Sequence, residues 1–262
     1  MSKNSKNDSS KYRVVPLMNY MTNNKKDLVK LLDLMGITVQ EKEIEKKKIY
    51  YGSKKQGYKG EKALKPSPEY LCKLVETLHK NEYAKKVINS DEKSETKIKR
   101  LKLIEDETAR KQASNYIWAN YPLKSKDEKY MVFEGDSYPD IFIETDDKVI
   151  VIEGKWTELD VKEYTKYQKK RNQMVRHIHN ALYKYDKQVY GFYIVSEEFK
   201  KKWGEKKLSE TGFGKTVDNQ FGIGGYEEKI KKAYKGCITW EKIVKEFPKV
   251  KKEVGWKCKP DS

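Results

Sequence analysis

The chain has 262 residues, with 57 Lys+Arg against 40 Asp+Glu and a formal net charge of +17. That length suits one large domain or a core with appendages, and an apolar content of 37%, below the roughly 45–50% of an average domain, predicts a small and locally concentrated core. No apolar run approaches the ~18 residues of a membrane span, the opening residues lack the apolar stretch of a secretory signal, and Cys72, Cys237 and Cys258 are too scattered for a disulfide framework or a zinc site, so a soluble, cytoplasmic protein is expected.

Residues 1–11 carry no periodicity and read as a disordered basic tail. Residues 12–95 read as an N-terminal helical region. Leu28, Val29, Leu31, Leu32, Leu34 and Met35 before Gly36 predict an amphipathic helix, Glu41 to Lys62 a surface loop or short ribbon, and the stretch after Pro66 and Pro68 a second helix. Ile98 to Ala119 reads as one long helix. The texture then changes to short β-branched and aromatic runs, Met131–Phe133, Ile141–Ile143 and Val149–Ile152, which predict three strands. Thr157 to about Tyr185 is helical in pattern, with Thr157 as N-cap and Glu158 and Asp160 in its first turn. Val189–Val195 predicts a fourth strand, Trp203–Tyr226 a glycine-rich loop, and residues 226–262 a C-terminal helical extension with helices over Tyr226–Tyr234 and Trp240–Phe247.

Chemistry concentrates between Tyr138 and Trp156. Along an extended strand Glu153 and Lys155 share a face, with Gly154 between them pointing away. Thr145-Asp146-Asp147-Lys148 has turn composition. If Asp146-Asp147 is a two-residue hairpin loop, Thr145 pairs with Lys148 and, by the same count, Asp140 lies opposite Glu153. Two carboxylates so placed have Cβ atoms ~4.5–5.5 Å apart and repel unless a cation separates them. A compact oxygen site of this kind suits Mg²⁺. Lys155, one pleat along, can orient a water or screen charge on a phosphate, while Gly154 allows close approach and offers its carbonyl.

Pro139-Asp140 followed by Glu153-Gly154-Lys155 resembles the PD-(D/E)xK superfamily of restriction-endonuclease-like nucleases. The resemblance covers about Ile98–Ser196. E-x-K recurs six times in the chain, but only the copy at Glu153 ends an apolar strand. The resemblance implies an α/β fold whose restriction-endonuclease-like core, over residues 96–225, holds a mixed four-stranded sheet flanked by helices. It implies Asp140, Glu153 and the Gly154 carbonyl as ligands of a catalytic Mg²⁺ (Mn²⁺ as substitute), Lys155 as the residue assisting the attacking water, and a phosphodiester cut that leaves a 5′-phosphate. A stand-alone chain of this size is then expected to be a type II restriction endonuclease on double-stranded DNA, as a homodimer. A repair, recombination or transposon-associated nuclease is the alternative within the enzyme class, and a non-catalytic nucleic-acid-binding protein on the same fold is the alternative outside it.

Relatives in this superfamily often carry an acidic residue on the helix before the strands, and here Glu105 is preferred to Glu107 as the further metal ligand. Many also carry a Gln beyond the lysine. Gln173 fits that position, and Arg176, three residues on, faces the same side and stands open between a nucleic-acid contact and a surface ion pair. His177 and His179 have no Cys partners and read as helix surface. Thr211-Gly212-Phe213-Gly214-Lys215-Thr216 lacks the first glycine of a phosphate loop. A mobile basic loop touching a nucleic-acid backbone through Lys215 is the expectation there. The +17 charge agrees with a polyanionic partner.

Overall fold

A computed structural model describes residues 13–52, 60–91, 94–123, 126–156 and 163–254. In chain order its elements are α1 (Val15–Asn23), α2 (Lys25–Leu34), β1 (Ile49–Tyr51), α3 (Pro68–Glu76), α4 (Glu82–Ser90), α5 (Glu95–Glu105), α6 (Glu107–Asn120), β2 (Ile141–Glu144), β3 (Lys148–Gly154), α7 (Gln173–Lys184), β4 (Gln188–Val195), α8 (Glu197–Trp203), α9 (Glu205–Leu208), α10 (Glu210–Asp218), α11 (Glu227–Ala233), β5 (Tyr234–Thr239), α12 (Trp240–Glu246) and α13 (Pro248–Val254). The strands form one five-stranded sheet in the order β1-β2-β3-β4-β5. The pairs β1–β2 and β2–β3 are antiparallel, β3–β4 and β4–β5 parallel. The fold is therefore α/β, with a mixed sheet flanked by helices.

The β2–β3 hairpin has the register expected of a two-residue turn. Ile141 pairs with Ile152, Phe142 with Val151, Ile143 with Ile150 and Glu144 with Val149. The Thr145 amide donates to the Lys148 carbonyl at 2.9 Å, and the Lys148 amide to Thr145 Oγ1 at 3.0 Å. The continuous apolar run of β3 reflects burial on both faces, as expected of an interior strand with a parallel neighbour. Val149 and Val151 enter one core and Ile150 and Ile152 the other. The first core lies under α3, α6, α7, α10 and α11, the second under α1, α2, α12 and α13. The crossovers β3–α7–β4 and β4–α8…α11–β5 send their apolar side chains to the same face, as right-handed connections must when parallel strands are added in one direction.

Several expectations are corrected. The sheet has five strands rather than four: β1 lies in the Glu41–Lys62 stretch read as a surface loop or short ribbon, and β5 lies within the 226–262 region read as helical. At three residues β1 is too short to carry a period-two signal, and β5 sits between helical patterns with Lys235, Gly236 and Cys237 only half-buried at the sheet edge. Met131–Phe133 is no strand. Met131 ends a 3₁₀ turn begun at Lys126, and Phe133 is buried by packing at right angles on Tyr167, with ring centroids 5.3 Å apart.

The long helix expected over Ile98–Ala119 is two helices. Asp106 interrupts it by accepting from the amides of Thr108 and Ala109 at 2.8 and 3.2 Å, so it starts α6 rather than continuing α5. Of the helix expected from Thr157, the described residues 163–172 are not helical, and α7 starts at Gln173, capped by Asn172, whose side chain accepts from the Met174 and Val175 amides. Thr157, Glu158 and Asp160 lie outside the described residues, as do the 1–11 tail, residues 53–59 of the expected loop or ribbon and residues 255–262. The loop expected over Trp203–Tyr226 holds α9 and α10, and the Thr211–Thr216 segment is helical, with Ser209 as N-cap. Among the described residues no helix is long and apolar enough to cross a membrane.

Candidate active site

The polar residues gather where β3 ends. The chain leaving β3 returns through α7 to β4, so the N-terminus of α7 is carried to the carboxyl end of β3, the usual place for a site in an open parallel arrangement. The backbone there is held firmly. Lys155 extends the ladder by donating its amide to the Ile194 carbonyl at 2.8 Å, while its own carbonyl accepts from the Ser196 amide at 3.2 Å and from Trp240 Nε1 at 2.8 Å. Gly154 turns to the opposite face, where an added Cβ would come within 2.8 Å of a Val14 methyl and 3.1 Å of the Trp240 ring. Its missing side chain lets α1 and α12 close against the sheet directly behind the polar cluster.

On the α7 face, Glu153 is the centre. Its Oε1 accepts from Lys155 Nζ at 2.9 Å and from Gln173 Nε2 at 2.7 Å, and its Oε2 lies 3.2 Å from His177 Nε2. Lys155 Nζ also reaches Gln173 Oε1 at 3.3 Å. For His177 to donate, the proton must sit on Nε2, and its Nδ1 has no hydrogen-bond partner among the described residues. Asp140, just before β2, accepts the Gly154 amide on Oδ2 at 2.8 Å. Asp140, Glu153, Lys155 and His177 are all buried.

The charges are unevenly compensated. Burial and the neighbouring Glu153 carboxylate push the Asp140 carboxyl well above the ordinary carboxylate range, against the pull of Lys155. Burial also acts to raise Glu153, but Lys155 and the His177 hydrogen bond override it and bring the carboxyl down to about 2. Burial lowers His177 despite the pull of Glu153 and so favours the neutral imidazole. Two carboxyls at one strand end thus titrate apart, one paired with a lysine and the other forming no ion pair among the described residues.

A second buried network supports the segment that leads into Asp140. Arg171 grips Glu134 with two parallel bonds of 2.9 and 3.0 Å, touches His179 Nδ1 at 3.2 Å and lies over the Tyr70 ring at 4.2 Å. Arg176 reaches the carbonyls of Gly135 and Asp136 at 3.3 and 3.4 Å and stands 3.6 Å from Glu134. Ser137 bridges Leu64 through both backbone groups at 2.8 and 2.9 Å, and Asn180 joins the pair. A cavity of about 210 Å³ opens here, lined by Asp136, Ser137, Tyr138, Tyr164, Arg171, Gln173, Arg176 and His177.

The structure therefore gathers Asp140, Glu153, Gly154, Lys155 and Gln173, with Arg176 at the cavity wall as part of an ion pair. Glu105 is not drawn in: it is exposed at the last residue of α5, away from the hydrogen-bonded cluster. Lys215 is exposed on α10, a helix rather than the expected loop. His177 and His179, read as surface, are both buried. The signal for His177 lies in its spacing, four residues after Gln173 and so on the same helical face; the absence of a cysteine partner says nothing about such a contact. Among the described residues no three His, Cys, Asp or Glu side chains form a ready metal cluster. Comparisons of the chain with protein-family models, with curated proteins and with solved structures return no match.

Proposed function

We propose that the chain is a Mg²⁺-dependent nuclease that hydrolyses phosphodiester bonds of double-stranded DNA, on a restriction-endonuclease-like core, and that it acts as a type II restriction endonuclease. One observation carries the reading: Glu153 at the end of β3 is held by Lys155 and Gln173 on one oxygen, with Asp140 across the hairpin in no ion pair among the described residues. A hydrogen-bonding surface alone needs no such pair of buried acids. The donor set fits a small hard cation, which typically takes only one or two carboxylates and keeps several waters. Of the roughly four lone-pair positions on a carboxylate, Glu153 uses three, on Lys155, Gln173 and His177. Asp140 uses one oxygen on Gly154. Asp140 and Glu153 would hold the metal, which would supply Lewis-acid polarisation of a phosphate and a lowered pKa for water.

The remaining groups have roles of their own. Lys155 holds Glu153 ionised and keeps a positive charge where a phosphate oxygen gathers negative charge. Gln173 locks the Lys155 and Glu153 heads in one arrangement by accepting from the first and donating to the second. His177 fixes the second Glu153 oxygen from the buried side. The test is incubation of the full chain with plasmid and genomic DNA, with Mg²⁺ or with chelator. Discrete fragments that vanish with chelator are expected. Rates should drop by at least about a hundredfold in Asp140→Asn, Glu153→Gln and Lys155→Ala. A smear would make it a nonspecific nuclease, and DNA retained but uncut by wild type would make it a binding protein.

A further inference from the structure

A larger cavity, about 430 Å³, lies beside the proposed site, between the segment preceding α7 and the helices α9 and α10. Five lysines line it: Lys169 and Lys170 from the segment, Lys206 and Lys207 from α9, and Lys215 from α10. The one carboxylate in its wall is Glu163. Some surface lysines are matched to acids, as in Lys85–Glu82, Lys111–Glu107 and Lys200–Glu205. Around the cavity Lys169, Lys170, Lys206 and Lys215 form no ion pair among the described residues, and Lys207 rests over the Trp203 ring at 5.3 Å. Like charges gathered into one concavity repel at short range and concentrate positive potential where an anion can enter.

The gathering is built into the backbone. A Cβ on Gly212 would fall 1.8 Å from the Lys206 carbonyl oxygen, so glycine is required for α10 to abut α9 and bring lysines of both helices to one hollow. The cavity is also wired to the site. Gln220, in its wall, accepts the Asn172 amide at 3.0 Å, and Asn172 caps the helix whose first residue is Gln173. Glu163 lines the larger cavity while its neighbour Tyr164, exposed, lines the 210 Å³ cavity at the site. A strand crossing Tyr164 passes from one to the other.

We infer that this cavity holds backbone phosphates of the DNA strand that enters the site, with Lys206 and Lys215 as two of the phosphate contacts. The assignment rests on the reading of the chain as acting on DNA, and it is tested by binding alone. Anisotropy of a labelled duplex with the full chain, in chelator so that nothing is cut, is measured over a series of potassium chloride concentrations. Each phosphate contact contributes roughly 0.9 to the slope of log affinity against log salt. The double variant Lys206→Gln/Lys215→Gln should lower that slope by roughly 1.8, and either single change by about half as much. The double variant Lys26→Gln/Lys42→Gln, on the opposite side of the sheet, should leave it unchanged. Unlabelled pyrophosphate at matched ionic strength should not displace the duplex. An unchanged slope in the cavity variants, an equal fall in the remote pair, or displacement by pyrophosphate overturns the assignment. Cleavage by wild type with an unchanged slope in the cavity variants sinks the cavity and spares the nuclease. No cleavage with the slope lowered as expected does the reverse.

Discussion

The two faces of the sheet are built on opposite principles. Against α1, α2, α12 and α13 the sheet presents Ile141, Ile143, Ile150, Ile152, Phe192 and Ile194, an apolar layer closed by Trp240. Against α7 the same strands begin with Phe142, Val149 and Val151 and end in Glu153 and Lys155, with Arg171, Glu134, His177 and His179 buried beyond them. A non-directional hydrophobic layer tolerates small displacements, whereas in a polar layer each buried charge that loses its partner costs stability. The first face therefore supplies stability to a strand end whose second face spends it on aligned charges.

The sharpest way to break this contrast is to remove one partner from the polar face. Arg171→Met leaves the buried Glu134 without its bidentate partner, with only the Arg176 guanidinium 3.6 Å away. A loss of about 3–5 kcal/mol is expected, read by denaturant unfolding, and removal of both partners in Arg171→Met/Glu134→Leu should recover much of it. If the single change costs no more than an ordinary surface substitution, the network is not holding the Asp140 segment.

The next effect is in pH. Burial, aided by the Arg171 charge, takes the His179 imidazole down to about 3. Below its ordinary value near 6.5 the unfolded chain binds a proton that the folded chain refuses, so stability falls as pH falls through that window and is fully present above it. From pH 7 to 5 this group should cost roughly 2 kcal/mol. His179→Gln should flatten the stability profile over that interval relative to wild type, whereas parallel profiles would mean that the ring is protonated in the folded state.

The smallest effect belongs to the apolar face. Ile152→Val removes one methylene from a position with apolar neighbours throughout and should cost about 0.5–1.5 kcal/mol. The DNA cleavage proposed for the site, measured at a temperature where both forms are folded, should be unaltered. A fall in rate larger than a few-fold would show that packing behind Gly154, and not only the polar cluster, sets the geometry of Glu153 and Lys155.

What could be read from the chain follows from the range of the signals. The β2–β3 register was legible because a two-residue turn and a period of two are local constraints, and together they put Asp140 across from Glu153. Gln173 was legible at one remove, through the resemblance of the E-x-K strand to a known pattern. The strand at 131–133 misled because buried aromatics on irregular backbone look like a short strand. The break at Asp106 was hidden in a pattern that continues apolar across it, since a cap competes with helix propagation only through its own two hydrogen bonds.

The rest was decided in three dimensions. The edge strands β1 and β5 exist because the sheet offers unpaired backbone to segments too short or too ambiguous to declare themselves. His177 became part of the site only when α7 docked on β3, which set its Nε2 3.2 Å from Glu153. The lysine hollow needed Gly212 to let two helices touch. Local sequence determined how β2 pairs with β3 across a turn, because period and turn length act over a few residues. Tertiary structure decided which charges are compensated and which are left open, because compensation depends on groups brought together from distant parts of the chain.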